Sequence, residues 1–121
     1  MNEITIDGTV YVPKTEQTVV NTDGMKAVLI RSYAAGVHFG YLEKEEFTQA
    51  GKVVTLIDSR RVWFWDGAAS LSQMAVDGVS KPENCKFSVT VPRNEIVNVV
   101  ETLELSEKAF TNLQKVAIWK Y

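Results

Sequence analysis

Hydrophobic and polar residues alternate with a period of two along much of this chain, which predicts a protein built mainly from β-strands. Segments 2–6 and 9–12 flank Asp7-Gly8, a two-residue turn signal, and they predict an N-terminal hairpin. The polar residues 14–24 follow and are predicted to form a loop. Residues 1–24 are therefore expected to be a hairpin and a polar loop at the start of the domain.

Further apolar runs predict the rest of the sheet. The valines of 96–105 favour a strand in an otherwise ambiguous segment. The charged stretch 43–50 is expected to be a solvated connection or one helical turn, and 58–60 is expected to join two separate strands. The other predicted strands are 27–33, 37–42, 52–57, 61–65, 86–91 and 116–119.

Two segments have the spacing of helices. Leu71, Met74 and Ala75 form an apolar stripe within 68–77, and Ser106 is a favourable first residue for a second helix. The buried side of that second helix is predicted to consist of Ala109, Phe110 and Leu113. The expected fold class is α+β: one domain over 1–121, with a mostly antiparallel sheet, two short helices and an oligomeric assembly.

Composition narrows the function. The 121 residues are 45% hydrophobic and 23% charged, as in ordinary globular domains, and the net charge is −2. This charge disfavours a general DNA- or RNA-binding protein, which needs a basic face. The lone Cys85 and an N-terminus without the pattern of a signal peptide predict a cytoplasmic protein. No apolar run has the length that a membrane helix needs.

The segment 60–73, RRVWFWDGAASLSQ, carries the most suggestive chemistry. Alternation along a strand places Arg61, Trp63 and Trp65 on one face and Arg60 on the other. Indole rings can stack on a nucleobase, and a guanidinium can make a forked contact with phosphate. The alternative is that these aromatic residues form core or dimer contacts, with the arginine stems packed over them.

The second half of the same segment predicts a phosphate site at the start of a helix. Gly67 leads into a helix that is expected to begin near 68–70, where free N–H groups and the helix dipole favour an anion. The candidate ligand-binding residues there are Gly67, Ala68, Ser70, Ser72 and Gln73. No phosphate-loop consensus is present, and a strand, a tight turn and a helix start are also an ordinary change of element.

Two other segments add candidate ligand-binding residues. Arg31 and His38 lie in RSYAAGVHFGY, while Asn84 and Lys86 lie in KPENCKFS. His38 is the only histidine, so a structural or hydrogen-bonding role is favoured over that of a catalytic base, and no metal site is expected. We predict no catalytic residues and no enzyme activity, since no nucleophile is paired with a base in a recognised pattern.

The blocks IRSYAAGVHFG, RRVWFWDGAASLSQ and KPENCKFSV resemble the Thoeris anti-defence protein one family of phages and prophages. The resemblance covers most of 26–121. It implies a non-catalytic sponge that binds glycocyclic ADP-ribose, the signal of a Toll/interleukin-receptor (TIR) enzyme, so that the Thoeris effector is never activated. It also implies a role in the cytoplasm of the infected host. That family forms homodimers with pockets shared by two protomers, and the dimers associate into hexamers. Some members bind cyclic di- or trinucleotides, and no cofactor is implied.

Two alternatives have a different function. One is a small phage accessory or structural oligomer without a small-molecule ligand, and the other is a single-stranded nucleic-acid-binding module. A sponge that acts without turnover needs roughly nanomolar affinity, about −12 kcal/mol. One stacked indole and one arginine cannot supply that alone. We therefore expect His38, Arg31 or a neighbouring subunit to complete the pocket.

Overall fold

A computed structural model describes residues 4–6, 9–11 and 19–120 of the chain. Strands β1 (Ile4–Ile6) and β2 (Thr9–Tyr11) pair antiparallel as a separate two-stranded sheet, which confirms the predicted hairpin pairing. The rest of those two predicted strands, the turn at 7–8 and residues 14–18 of the predicted loop lie outside the described residues.

The main body is an α+β domain, as predicted, with a six-stranded antiparallel sheet and two helices. None of the helices in the described part of the chain is long and apolar enough to cross a membrane. The strands are β3 (Ala27–Ser32), β4 (Gly36–Thr48), β5 (Gly51–Phe64), β6 (Lys86–Phe87), β7 (Val91–Ile96) and β8 (Val99–Glu104). The helices are α1 (Leu71–Asp77) and α2 (Glu107–Gln114), and a short 3-10 helix spans Pro82–Asn84.

The sheet folds back on itself. β4 lies between β3 and β5, while β8 pairs with the free edge of β3 and β7 pairs with the free edge of β5. Because only residues 97 and 98 join β7 to β8, the two ends of the sheet must come together. The face enclosed by this curvature, the inner face, carries a buried cluster of Val28, Ile30, Val54, Leu56, Ile96 and Val99.

The two helices cover the opposite face of the sheet, the helix face. Ser106 caps the N-terminus of α2 as predicted, since its Oγ accepts a hydrogen bond from the Ala109 N–H at 3.0 Å. Burial of each large apolar side chain in such a core contributes about 1.5–3 kcal/mol to folding. The buried cluster between the sheet and the helices is larger than that of the inner face. It includes Leu29, Phe39, Val62 and Phe87 from the sheet, Met74 and Ala75 from α1, and Phe110 and Leu113 from α2.

The prediction of a connection or helical turn at 43–50 is wrong, because β4 continues to Thr48 and pairs with β5 along a long hairpin. The stretch is polar because its side chains are exposed, and cross-strand contacts such as Lys52–Glu45 at 2.7 Å link the two strands. Thr48 closes the turn, where its Oγ1 donates to the Gly51 carbonyl at 2.7 Å.

The prediction of two strands at 52–57 and 61–65, joined by 58–60, is also wrong. A single strand, β5, runs through the whole region, and its pairing with β4 shifts register between Phe39 and Tyr41. Asp58 has φ of +52° at this irregularity. One extra residue in a strand reverses the alternation beyond it. Leu56 before the irregularity and Arg61 beyond it therefore lie on the same inner face.

The predicted strand 86–91 is broken in the structure. β6 and β7 run one after the other along the same edge of β5, and residues 88–90 leave the ladder between them. The Ser88 backbone and hydroxyl there bind the two arginines of β5: Arg60 Nε donates to the Ser88 carbonyl, and Ser88 Oγ accepts from the Arg61 N–H, both at 2.8 Å.

The predicted C-terminal strand 116–119 is wrong as well. Only an isolated parallel bridge joins Ile118 to Phe87, and the Trp119 N–H donates to the Phe87 carbonyl at 2.8 Å. The carbonyls of Val116 and Ala117 instead accept hydrogen bonds from the Arg60 guanidinium. The ambiguous segment 96–105 is extended apart from its turn, as its valines suggested.

Candidate functional site

A surface of alternating cations and indoles lies at the end of β5. The Arg61 guanidinium lies 4.9 Å from the ring centre of Trp63, whose side chain is 58% exposed. Trp119 meets Trp63 edge to face at 6.5 Å, and the Lys86 ammonium lies 5.3 Å from the ring centre of Trp119. Contacts of cations with ring faces within about 6 Å are attractive. We call Arg61, Trp63, Lys86 and Trp119 together the Trp63 surface.

Three cavities border this surface, and Trp63 lines all of them. Among the described residues, their linings include the cations Arg61 and Lys120 and no carboxylate, so the chemistry favours an anionic ligand. A cavity of 320 Å³ is lined by Trp63, Ser88, Val89, Trp119 and Lys120. A cavity of 430 Å³ is lined by residues 34–37, Arg61, Val62, Trp63 and Trp65. A cavity of 270 Å³ is lined by His38, Ser59, Arg61, Trp63, Ser88, Val91 and Asn94.

The 270 Å³ cavity is lined by several polar side chains, among them the buried His38 and Ser59. His38 pairs with Arg61 across β4 and β5, so both side chains project from the inner face. His38 Nε2 lies 2.9 Å from the Ala35 carbonyl and donates to it. Burial, and secondarily the nearby Arg61 charge, lowers the pKa of His38 below its ordinary value against the opposing effect of that hydrogen bond. The imidazole is therefore neutral at pH 7.

Arg60 does not contribute to the Trp63 surface. It projects from the helix face, is only 5% exposed and lies over Phe87 at 5.4 Å. Its guanidinium donates to the carbonyls of Ser88 and Val116, both at 2.8 Å, and at longer distances to other carbonyls at the end of α2 and beyond it. Burial lowers the pKa of Arg60. The predicted ligand-binding role of Arg60 is therefore replaced by a structural one, since its donors are already used.

The predicted phosphate site at the start of α1 is not supported by the geometry. The helix begins at Leu71 rather than near 68–70, and Ser70 Oγ accepts from the Gln73 N–H at 3.1 Å. Gln73 Oε1 accepts in turn from the Ala69 N–H at 2.7 Å. This reciprocal capping uses N–H groups that a phosphate would need. Ser72 is exposed on α1.

Gly67 has a structural reason to be glycine. Its φ is +91°, its carbonyl accepts hydrogen bonds from the Ser80 N–H and hydroxyl, and a Cβ would lie 2.5 Å from Ser80 Oγ. Trp65 donates from Nε1 to the Ala68 carbonyl at 3.2 Å and packs against the helix-face core. Trp65 therefore does not share a face with Trp63, because β5 ends at Phe64, although it lines the 430 Å³ cavity.

The structure places the other predicted residues in several different environments. Arg31 forms an exposed ion pair with Glu101 at 3.3 Å, and Asn84 donates to the Asp66 carboxylate at 2.9 Å. Burial raises the pKa of the Cys85 thiol, which is bound to nearby backbone groups. Of the predicted set, the tertiary structure brings together His38, Arg61, Trp63, Trp65 and Lys86 around the three cavities and the surface between them.

Sequence reasoning missed several residues of the site. Trp119 and Lys120 are distant in sequence and come to Trp63 only because the chain end crosses β6. Ser59 was placed in a connection, so its position on a strand face was not considered. The strand face of Ser59 could have been predicted only by recognising the backbone irregularity at Asp58. Ser88 lies in the segment KPENCKFS but was not singled out there, and Asn94 belongs to a segment with no distinctive pattern.

Comparison with known proteins gives a family without an assigned function. No curated protein and no solved structure matches the chain. A family model described as a domain of unknown function (DUF6948) matches residues 25–113. The matched segment contains the six strands of the main sheet and helix α1. Because this match covers well over half of the sequence, the chain belongs to the DUF6948 family.

Proposed function

We propose that this protein binds a small nucleotide-like ligand at the Trp63 surface and releases it chemically unchanged. The observation that carries the proposal is the contact of Arg61 with Trp63 beside a cavity that the buried polar side chains His38 and Ser59 help to line. A nucleotide combines a flat ring, a sugar and an anionic phosphate. The indole of Trp63 suits the ring, the Arg61 guanidinium suits the phosphate, and the polar lining of the cavity suits the sugar.

The energetics favour a ligand with several points of contact. Stacking of a base on an exposed indole such as Trp63 contributes about 1–3 kcal/mol. A forked hydrogen bond from the Arg61 guanidinium to phosphate adds a charge-assisted contact, and Lys86 and Lys120 lie nearby. No single contact gives tight binding, so the affinity depends on all of them acting on one molecule.

The arrangement favours binding over catalysis. His38 donates through one nitrogen to a backbone carbonyl, while the Cys85 thiol contacts the backbone of Lys81 and Asp66. Within the described part of the chain, the recorded hydrogen bonds include none between a serine, threonine or cysteine and His38. A nucleophile that is activated by a base requires such a contact.

The resemblance of the blocks at 30–40 and 60–73 to the Thoeris anti-defence protein one family suggests the first ligand to test. We propose glycocyclic ADP-ribose, sequestered in the cytoplasm of an infected host so that the effector is not activated. The adenine ring and pyrophosphate of that molecule suit an indole and a guanidinium. Cyclic di- and trinucleotides are the next ligands in the same class.

Isothermal titration calorimetry with glycocyclic ADP-ribose tests this function. Trp63→Ala and Arg61→Ala are each expected to weaken binding about tenfold or more, since each removes roughly 1–3 kcal/mol of contact. Phe47→Ala and Arg93→Ala are the matched controls, because Phe47 is highly exposed at the hairpin end of β4 and Arg93 pairs with Glu43 outside the cavities. Equal losses in the controls, or no heat with any of these nucleotides, would contradict the proposal.

Recovery of the ligand separates a sponge from an enzyme. After incubation with a molar excess of protein and denaturation by heat, mass spectrometry should return glycocyclic ADP-ribose at its original mass. A cleaved product would contradict the non-catalytic mechanism.

Self-association is a second candidate function, and the exposed apolar residues beside the Trp63 surface favour it. Phe64 is 51% and Ile118 is 50% exposed, and Val89 and Trp119 are also exposed. Residues of this kind are enriched at contacts between subunits. A second copy placed here would also enclose the open sides of the cavities, as the resemblance to dimeric sponges implies.

A further inference from the structure

Two of the residues that line the 270 Å³ cavity, His38 and Ser59, are buried polar side chains. His38 is 2% exposed and Ser59 is fully buried, yet neither His38 Nδ1 nor Ser59 Oγ has a hydrogen-bond partner among the described residues. Leaving such a group unpaired destabilises the folded protein. Buried polar groups in proteins are usually satisfied, so two in one cavity indicate a contact that is made to something else.

The backbone brings these two side chains to the same face of neighbouring strands. His38 lies opposite Arg61 in the β4–β5 ladder, and Ser59 is two residues before Arg61 on β5. Gly40, two residues after His38, makes the close approach of the strands possible. A Cβ on Gly40 would lie 3.0 Å from Ser59 Cα and 3.1 Å from Ser59 Cβ.

The hydrogen bond of His38 determines which chemistry its other nitrogen offers. The Ala35 carbonyl can only accept, so the Nε2 atom at 2.9 Å carries the proton. In a neutral imidazole the remaining nitrogen, Nδ1, is then an acceptor. Burial, and to a smaller extent the positive charge of Arg61 across the ladder, lowers the pKa of His38 and so disfavours a second proton on the ring. Nδ1 therefore requires a donor from its partner.

We propose that His38 Nδ1 and Ser59 Oγ together recognise a hydroxyl group of the ligand's sugar. A hydroxyl can donate to Nδ1 and accept from the Ser59 hydroxyl at the same time, whereas an amino group of a base can only donate. This inference rests on the proposed nucleotide binding. It assigns the three parts of a ribonucleotide: the base to Trp63, the phosphate to Arg61 and the sugar to His38 and Ser59. These two residues then determine the preference for ribose over deoxyribose.

Calorimetry with AMP, 2′-deoxy-AMP and 3′-deoxy-AMP tests the assignment. The protein is expected to bind AMP about tenfold or more tightly than at least one deoxy analogue, because the analogue leaves both buried atoms unpaired. Equal affinity for all three nucleotides would overturn the proposal.

Two variants attribute the preference to these atoms. Ser59→Ala removes a hydroxyl that has no partner in the described structure, so it should fold with unchanged or higher stability and should lose most of the ribose preference. His38→Phe removes the acceptor nitrogen and should also reduce the preference for ribose. Ser80→Ala, on an exposed residue outside the three cavities, is the matched control and should keep the preference. Retention of the full preference in Ser59→Ala contradicts the proposal even if His38→Phe does not fold.

Nitrogen NMR gives an independent measurement, since His38 is the only histidine of the chain. Addition of AMP, or of ribose at high concentration, should shift the Nδ1 resonance while Nε2 remains protonated. If AMP produces heat but no shift of Nδ1, the sugar assignment fails and nucleotide binding stands. If ribose shifts Nδ1 but no nucleotide binds, the sugar assignment stands and the proposed function fails. If neither compound shifts the Nδ1 resonance, His38 Nδ1 and Ser59 Oγ do not bind the sugar and the proposal is overturned.

Discussion

Two consecutive arginines of β5 have opposite roles. Arg60 projects from the helix face, where its guanidinium binds the carbonyls of Ser88 and of the chain end. Arg61 projects from the inner face against Trp63 and the cavities. The same residue type therefore stabilises the fold at one position and is available to a ligand at the next. Only the face of the strand separates the two roles.

Replacement of Arg60 with alanine is expected to destabilise the protein by about 3 kcal/mol, because it removes several charge-assisted hydrogen bonds and leaves buried carbonyls unpaired. Arg61→Ala, at a partly exposed position, should change the free energy of unfolding by about 1 kcal/mol or less. Urea unfolding of both variants measures the difference. Similar losses in the two variants would show that Arg60 is not the structural arginine.

The lowered pKa of His38 predicts a pH dependence of stability. As the pH falls below about 6.5, the unfolded chain takes up a proton on this histidine before the folded protein does. The free energy of unfolding should therefore fall as the pH is lowered from about 6.5 to the folded-state pKa. Above pH 7 the histidine is neutral in both states and adds no slope.

Urea unfolding at several pH values between 7.5 and 5.5 measures this effect. His38→Gln has no group that titrates at this position, so its stability should decline less over the same interval. Burial is the main cause of the lowered pKa of His38 and the charge of Arg61 a smaller one, so Arg61→Ala should reduce the decline less than His38→Gln does. A wild-type protein whose stability changes no more than that of His38→Gln would contradict a buried neutral histidine.

At the scale of elements, the irregularity in β5 determines the composition of the site. Without it, strict alternation would place Leu56 and Arg60 on one face and Arg61 on the other. The positive φ of Asp58 reverses the alternation, so Ser59, Arg61 and Trp63 continue the inner face that Leu56 begins. The cavity is therefore a consequence of one local backbone conformation.

Substitutions at Asp58 test that conformation. Asp58→Val places a β-branched residue at φ of +52° and is expected to cost about 1–3 kcal/mol of stability. Asp58→Gly is the matched variant, since glycine adopts positive φ without strain, and it should stay within about 1 kcal/mol of wild type. Thermal or urea unfolding compares them. Equal stability of the valine and glycine variants would contradict the positive φ.

At the scale of the whole molecule, the exposed apolar residues beside the Trp63 surface predict self-association. Sedimentation of the wild-type chain should show a concentration-dependent dimer, and Phe64→Lys should shift it towards monomer by placing a charge in the contact. Phe47→Lys is the control, because Phe47 is exposed next to the turn of the β4–β5 hairpin, and it should leave the assembly unchanged. A wild-type monomer at all concentrations, or equal effects of both variants, would contradict this interface.

Local sequence patterns predicted some of the elements correctly. Ser106, Ala109 and Leu113 indicated α2, because a capping residue and apolar spacing act within a few residues. The valines of 96–105 indicated extended chain for the same reason. The polar stretch 43–50 was predicted wrongly, since two exposed strands of a hairpin carry no apolar alternation to reveal them.

By itself, the sequence determined the α+β class and the presence of both helices, because propensity, capping and alternation are properties of neighbouring residues. The tertiary structure decided which arginine is buried, how Trp119 reaches Trp63, and that His38 and Ser59 share a cavity. These facts depend on register and on contacts between distant segments, and one irregularity at Asp58 reverses the faces of the residues from Ser59 to Trp63.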